Sequence, residues 1–225
     1  MSKMRPSRSR LRASPQARAK IGKSERTRAA ILNAAFDFLW SHPFRDMTVA
    51  AVMDGAGASR SAFYQYFDGR HHLMETLLGM LEAEILSGAS PWITDTGDPV
   101  ALLREALAEL VRVCYRQGPF LRAVTDAAPT DERLEDAWNQ FLGRFDDAGC
   151  GRIEADQEQG LIAPFEARPV AVALNRLNAH ALIEAFGRLP RSRPRPVQDA
   201  LTRIWVATLY GEQWLARESS TLVRT

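Results

Sequence analysis

The 225-residue sequence is poor in the side chains that catalysis and metal binding draw on. Its two cysteines, Cys114 and Cys150, fall on separate predicted helices and follow neither a metal-ligand spacing nor a catalytic signature. They read as two buried thiols, since a disulfide is unusual in a reducing compartment. The four histidines, His42, His71, His72 and His180, belong to no metal or nucleophile motif. His71 and His72 are adjacent, so on a helix they diverge by about 100° and cannot act as a metal pair; both are expected at the surface. An enzyme needs an acid, base, nucleophile or metal set. None is visible, which leaves an enzyme or carrier on a helical bundle as the rival class and calls for no cofactor or metal. No apolar run is long enough to span a membrane. The N-terminus lacks the apolar stretch of a secretory signal, so a cytoplasmic protein is expected. No segment reads as a strand, and no internal repeat is apparent.

What is present is an uneven charge. The chain carries only +2 overall, but residues 1–28 hold ten Lys/Arg against one acid, Glu25, a formal +9 that leaves −7 for residues 29–225. Such asymmetry suits a polyanion held at one end of the molecule. Residues 1–23, rich in Ser, Arg and Pro, are expected to be a disordered basic arm. It either adds phosphate or minor-groove contacts or is a solvated tail. A chain of this length can form one ordinary domain or two small ones.

The organising stretch is residues 47–72, MTVAAVMDGAGASRSAFYQYFDGRHH. Thr48 can cap a helix whose Val49, Val52 and Met53 share an apolar face. Gly55-Ala56-Gly57 supplies the break that a sharp turn between helices requires. Ser59 sits at a second N-cap, and Arg60, Ser61, Ala62, Tyr64 and Gln65 follow along a short helix with Phe63 and Phe67 turned inward. Asp68 is read as the cap of the next helix. A short second helix with a polar start suits a helix-turn-helix that reaches base edges in a major groove. Tyr64 and Tyr66 can give hydroxyls to phosphates, and Arg60 and Arg70 bring positive charge. An ordinary helix hairpin is the alternative.

Around it the periodicity predicts an all-α fold of about nine helices. A helix over 24–40 braces the helix-turn-helix and completes a three-helix unit over 24–70. The helix over 68–87 is apolar on two adjoining faces, as a connector between modules must be, and 87–97 reads as a break. Asp98-Pro99 opens a helix that carries Leu103, Ala106, Leu107, Leu110, Val111 and Cys114 on one stripe and stops at Gly118-Pro119. A short helix over 120–127 and a long one over 130–159 follow, the latter with Trp138, Phe141 and Phe145 on one side. Gly143, Gly149 and Gly151 mark close helix contact, room for a ligand, or mere tolerance of weak helix formers. Helices over 169–186 and 197–215 are joined by an Arg- and Pro-rich linker, 188–196. Asn175 and Asn178 lie at i, i+3 beside an apolar stripe. Buried amides demand partners, so they either bond other helices or orient a small molecule in a greasy cavity. Residues 71–217 thus form a helical ligand-binding and dimerisation bundle, followed by a frayed tail, 218–225.

Thr48, Ala56-Gly57, Ser59-Arg60 and Phe63-Tyr64-Gln65-Tyr66-Phe67 followed by a cation resemble the DNA-binding segment of the tetracycline-repressor (TetR) family. The resemblance implies a double-stranded DNA operator contacted by Thr48, Ser59, Arg60, Ser61, Ala62, Tyr64, Gln65, Tyr66, Arg70 and His71. Ala62 stands where the family usually has Thr, which removes one hydroxyl contact, and Arg70-His71 replaces the usual Lys-Glu. Residues 174–178 (LNRLN), 203–211 (RIWVATLYG) and 137–141 (AWNQF) are similar to the EthR branch of that family. In that branch the C-terminal domain encloses a long apolar tunnel. The resemblance makes Asn175 and Asn178 the polar contacts of a small apolar effector, with Trp138 and Trp205 as wall. Phe145 stands where the branch has Trp and Gly149 where it has Thr. Leu107, Leu110, Cys114 and Phe141 join the wall from the apolar stripes. A homodimer through the last two helices is also implied. Trp205, Leu209, Tyr210 and Trp214 agree with it by giving the last helix a broad apolar surface. The combined expectation is a transcriptional regulator, most simply a repressor that its effector releases, with an activator as the alternative.

Overall fold

The computed structural model describes residues 22–211. Expectations for the basic arm before Gly22, and for the chain after Gly211 with Trp214 and the tail, lie outside the described residues. Those residues form eight α-helices and no strand, and the chain divides into two compact units within α4, after Leu77.

The first unit comprises α1 (Lys23–Leu39), a 3-10 turn (Phe44–Asp46), α2 (Val49–Ala56), α3 (Arg60–Phe63) and the start of α4 (Arg70–Thr94). Glu25 accepts from the Gly22 N–H, and Ile31, Leu32, Ala35 and Leu39 form the buried stripe of α1. Thr48 caps α2, its Oγ1 accepting from the Ala51 N–H at 3.1 Å. Gly57, at φ 65°, ends α2 in the left-handed region. The N–H groups of Gly57 and Ala58 then return to the carbonyls of Asp54 and Met53, the Schellman pattern. Gly55 remains inside α2, where a side chain would meet Ala34 Cβ at 3.3 Å. Phe63 and Phe67 are fully buried at ring centroids 5.5 Å apart, and the Arg28 guanidinium lies 5.6 Å from the Phe67 ring. Burying two such rings is worth about 3–6 kcal/mol, which is what so short a helix as α3 leans on. Two expected caps differ. Ser59 is the N-cap of α3, but its hydroxyl pairs with Ser61 Oγ rather than with the helix. Asp68 stands 3.4 Å from His72 Nδ1, and the Gly69 carbonyl receives the Leu73 N–H instead.

The second unit contains the rest of α4, α5 (Pro99–Ala127), a 3-10 turn (Ala128–Thr130), α6 (Glu132–Glu158), α7 (Ala167–Phe186) and α8 (Pro194–Tyr210). Asp98 Oδ1 accepts from the N–H groups of Val100 and Ala101, and Asp131 Oδ1 from that of Leu134, so both long helices start on a side-chain cap. Four expectations are corrected here. The break at 87–97 is helix as far as Thr94. Gly88 lets α4 approach Glu109 Cβ, to which its own Cβ would stand 3.0 Å away, and Trp92 buries its ring against Trp205. Arg152 Nη1 donates to the carbonyls of Trp92 and Asp95 at the end of that helix. Gly118-Pro119 does not stop α5, so the short helix over 120–127 is the continuation of α5 and the count falls from nine to eight. Pro119 cannot donate to the Tyr115 carbonyl four residues back; Arg191 Nη1 donates to it instead. Gly118 packs so close to α7 that a Cβ would collide with the Phe186 carbonyl oxygen. The linker is shorter than expected, since α8 begins at Pro194. Finally, Trp205, Leu209 and Tyr210 turn into their own chain and are at most 4% exposed, because α8 packs this face against α5 and the end of α4.

A buried polar group anchors this core. Asp156 is fully buried, with Arg152 Nε 2.9 Å from Oδ1, and its Oδ2 accepts from the Tyr210 hydroxyl at 2.7 Å. Desolvation, reinforced by that bond, raises the Tyr210 phenol, and burial pushes the Cys114 thiol from its ordinary 9.0 up to about 12. Both groups keep their protons in the folded chain at pH values where the unfolded chain releases them. Their contribution is therefore complete below pH 9.0 and is lost as pH rises toward about 12.

This packing can be checked by stability in two ways. Gly118→Ala should lower stability to urea by about 1–3 kcal/mol, whereas Gly151→Ala, on an exposed turn of α6 with open space around it, should gain about 0.5–1 kcal/mol. Equal urea midpoints for Gly118→Ala and the parent would mean that α5 does not approach α7 as described. The urea midpoint should also fall as pH rises from 9.0 toward about 12, with a shallower fall in Cys114→Ala. A midpoint flat over that range would contradict the burial of both protons.

Candidate nucleic-acid interface and apolar cavity

The start of α3 stands clear of the first unit's core. Thr48, Ser59, Arg60, Ser61 and Gln65 are exposed, and Tyr64 is 63% exposed with its ring edge on Phe63. Phe63 and Phe67 face the opposite way and fix the helix from behind. The polar groups a duplex would need are thus held out by a rigid apolar backing. The other expected DNA residues are half-buried and have duties within the unit. Ala62 lies between the two faces. The Tyr66 hydroxyl is 3.0 Å from Ser24 Oγ on α1. Arg70 stacks over the Phe44 ring at 4.5 Å and reaches the carbonyls of Arg45 and Met47 at 3.5 Å, so it holds the chain entering α2. His71 meets the Phe44 ring edge-on at 5.4 Å, and His72 meets Phe67 at 5.7 Å. Both histidines were expected at the surface. They are half-buried because their backs pack on the aromatic core of the unit. Among the described residues no group of three His, Cys, Asp or Glu could hold a metal ion.

The second unit encloses about 830 Å³ of atom-free space, its opening to solvent included. Its walls are almost wholly apolar, as those of small-molecule sites commonly are. All nine residues expected to form a ligand site come together around it: Leu107, Leu110 and Cys114 from α5, Trp138, Phe141 and Phe145 from α6, Asn175 and Asn178 from α7, and Trp205 from α8. Helical stripes from four helices converge because each helix turns one apolar face inward. Trp138 stacks on Phe141 at 5.2 Å, and Phe145 stands edge-on to Phe141 at 5.0 Å. Gly149 lies against Asn175, where its Cβ would stand 3.7 Å from Nδ2, while Gly143 and Gly151 face open space. Of the three glycines, only Gly149 gives the cavity room.

The sequence reading passed over the α4 wall, Ile85, Leu86, Ala89, Trp92 and Ile93, because Gly88 and Pro91 read as a loop. The i, i+1, i+4, i+7, i+8 spacing of those five was the available signal. It also passed over Asp146, an acid only 3% exposed. Asp146 receives Arg176 on both oxygens, at 3.2 and 2.9 Å, and the Asn175 Nδ2 on Oδ1 at 3.1 Å. On the other asparagine, Oδ1 of Asn178 accepts from the Trp205 indole N–H at 2.9 Å.

Comparison with known proteins gives a consistent result. Residues 31–77 match the family described as bacterial regulatory proteins, tetR family, and residues 103–211 match the C-terminal domain of the transcriptional regulator EthR. The HTH-type transcriptional regulator EthR of Mycobacterium tuberculosis is 30% identical over 189 residues, spanning 81% of this chain and 87% of that protein. The regulator of the same name from Mycolicibacterium smegmatis is 27% identical over 187 residues, spanning 81% and 86%. Among solved structures, a protein described as a TetR-family transcriptional regulator from Syntrophomonas wolfei shares the fold. Its TM-score is 0.73 at 14% identity, with 83% of this chain and 95% of that one covered. Identity of this degree over most of both sequences carries the family with it: the chain belongs to the TetR family of transcriptional regulators, in its EthR-type branch, and is a DNA-binding regulator rather than an enzyme.

Proposed function

We propose that this regulator is a repressor. It binds a pseudo-palindromic operator as a homodimer and is released when a small apolar effector enters the cavity of its second unit. The observation that carries the reading is that cavity: apolar walls from α4, α5, α6, α7 and α8 with two asparagine amides among them.

At the DNA end, the exposed residues divide by chemistry. Arg60 and Gln65 can reach base edges, while Thr48, Ser59, Ser61 and Tyr64 offer hydroxyls to phosphates. Ala62, Tyr66, Arg70 and His71 complete the contact set, Tyr66 and Arg70 while also holding α1 and the approach to α2. A dimer through α7 and α8 would bury the exposed apolar groups there, among them Leu189 at 69% and Ile204 at 38% exposure. Its two-fold axis would set the recognition helices about 34–36 Å apart, or a multiple of that. The effector weakens DNA binding by whatever free energy it gains in the form whose recognition helices are wrongly spaced. A tenfold loss takes about 1.4 kcal/mol. We assign the transmission to α4, whose first turn carries Arg70 and His71 and whose last three turns line the cavity. An activator built on the same parts is the second reading. Among the described residues no helix is long and apolar enough to cross a membrane, which fits a regulator acting in the cytoplasm.

In gel-shift assays on DNA flanking the protein's own gene, Arg60→Ala and Tyr64→Ala should each weaken binding about tenfold or more while leaving thermal stability intact. Unchanged operator affinity in both would remove α3 as the reading element. Asn178→Leu should blunt the response to apolar effectors found by thermal-shift screening and spare DNA affinity. It also leaves the Trp205 N–H without its acceptor, at a cost of about 1–3 kcal/mol in stability. Full effector affinity in that variant would put the ligand elsewhere.

A further inference from the structure

The arginine-rich segment between α7 and α8 takes no part in the cavity or in the DNA-reading helix. It reverses the charge of its surroundings. Residues 78–187 hold nine Arg against eighteen acids, a formal −9, whereas residues 188–211 hold five Arg against Asp199 alone, a formal +4. The segment is also braced. The Ser192 N–H donates to the Ala185 carbonyl at 2.9 Å, and Arg188 stands 4.0 Å from Asp126. Arg191 stacks over the Tyr115 ring at 4.8 Å while donating to the Tyr115 carbonyl. Pro190, Pro194 and Pro196 restrict the backbone further. On this support Arg193 and Arg195 are exposed, with no hydrogen-bond or ion-pair partner among the described residues. They do not serve α8 itself, because cations at the N-terminal end of a helix oppose its dipole. Guanidinium groups left open on a braced turn match phosphate oxygens, which each can grip with two parallel N–H bonds.

We propose that this loop is a second DNA contact, in which Arg193 and Arg195 hold operator phosphates beyond those met by α3. It rests on the operator binding proposed above. Charge chooses the partner, since a duplex carries one negative charge per about 1.7 Å of its axis and offers phosphates all along it. The place of the loop within the second unit agrees. α5 runs antiparallel to α4, with Gly88 against Glu109 and Arg116 paired with Glu84, about two turns after α4 enters the unit. The loop packs beside that pair, on Tyr115. Along α8, Arg195 lies about 22 Å from Tyr210 at 1.5 Å per residue. The Tyr210 hydroxyl accepts from the indole N–H of Trp92, near the other end of α4. The cationic loop therefore stands at the end of its unit where the chain arrives from the DNA-binding one. Phosphate contacts carry no sequence information, so the loop adds affinity and salt dependence without adding specificity.

The test compares the full chain with Arg193→Gln/Arg195→Gln and Arg193→Lys/Arg195→Lys by fluorescence anisotropy. Each protein is titrated onto the operator fragment and onto a scrambled duplex of equal length, from about 50 to about 300 mM KCl. The logarithm of affinity falls against the logarithm of salt with a slope of roughly 0.9 per phosphate held. The Gln pair should flatten that slope by about 1.8 where one subunit's loop is engaged and by about 3.6 where both are. It should weaken both duplexes alike and keep the ratio between them, while the Lys pair retains the charge and should retain the slope. An equal slope in the Gln pair and the unaltered chain overturns the proposal and leaves operator binding standing. A change in self-association by sedimentation with the slope unmoved also overturns it, and assigns the loop to an acidic protein surface. Loss of the preference for operator over scrambled DNA overturns it too, by placing the arginines on base edges. If the unaltered chain binds neither duplex, the operator reading fails and this inference with it. Should the Gln pair not fold, Arg195→Gln alone should flatten the slope by about 0.9 for each loop engaged, and no flattening overturns the proposal.

Discussion

A cavity in a close-packed bundle survives only if its walls are held from behind. Helices with apolar faces otherwise slide together, because dispersion attraction and the expulsion of water both favour closing the gap. In this chain the restraints are polar and lie just outside the apolar lining. Asp146 ties α6 to α7 through Arg176 and Asn175, Asn178 ties α7 to α8 through Trp205, and Arg152 with Asp156 ties α6 to the end of α4 and to Tyr210. Each of these groups would be costly if left alone. Removing one partner of such a set strands a buried charge or donor, so the helices cannot close on the space without breaking the set first. The cavity is the gap left between elements that are pinned to one another elsewhere.

The first unit solves a different problem with less material. It must present a row of polar side chains on a four-residue helix too short to be stable by itself. Phe63 and Phe67 supply the backing, and two basic residues of the unit, Arg28 and Arg70, stack on the Phe67 and Phe44 rings. Cations placed there serve twice, since guanidinium stems cover apolar surface while the charge stays on the outside of the unit. That double use explains how a unit of this size keeps a polar exterior without giving up its core.

Much of this was legible in the order of the residues. The turn between α2 and α3 was readable because Gly57 is where a left-handed cap is needed, and Thr48 because a hydroxyl before an apolar period is a cap. The cavity wall on α5 to α8 was readable because helical stripes can only point inward. Failures came where tertiary contact overrides local chemistry. Gly88-Pro91 and Gly118-Pro119 both read as breaks. In each case a glycine serves a close approach between helices. At Pro119 the orphaned Tyr115 carbonyl is repaired by Arg191, 76 residues along the chain, which no local pattern announces. Trp205 was read as cavity wall, and the breadth of apolar surface on α8 was taken to agree with a partner chain. What covers much of that surface, Trp92 on α4, lay in a segment taken for a loop. The role of Asp146 was invisible because nothing in its neighbourhood distinguishes a buried acid from a solvated one.

One helix, α4, belongs both to the DNA-binding unit and to the cavity wall, and coupling through that junction is the central claim. Linkage makes the claim measurable from either end, since a ligand that weakens DNA binding must itself be bound less tightly by the DNA-bound protein, and by the same factor. The direct measurement is the dissociation constant of one cavity ligand for the protein alone and for the protein saturated with its operator. Coupling predicts a ligand affinity lower on DNA by the factor through which that ligand lowers operator affinity. The same affinity in both states would mean that the cavity and the DNA-reading helix do not communicate.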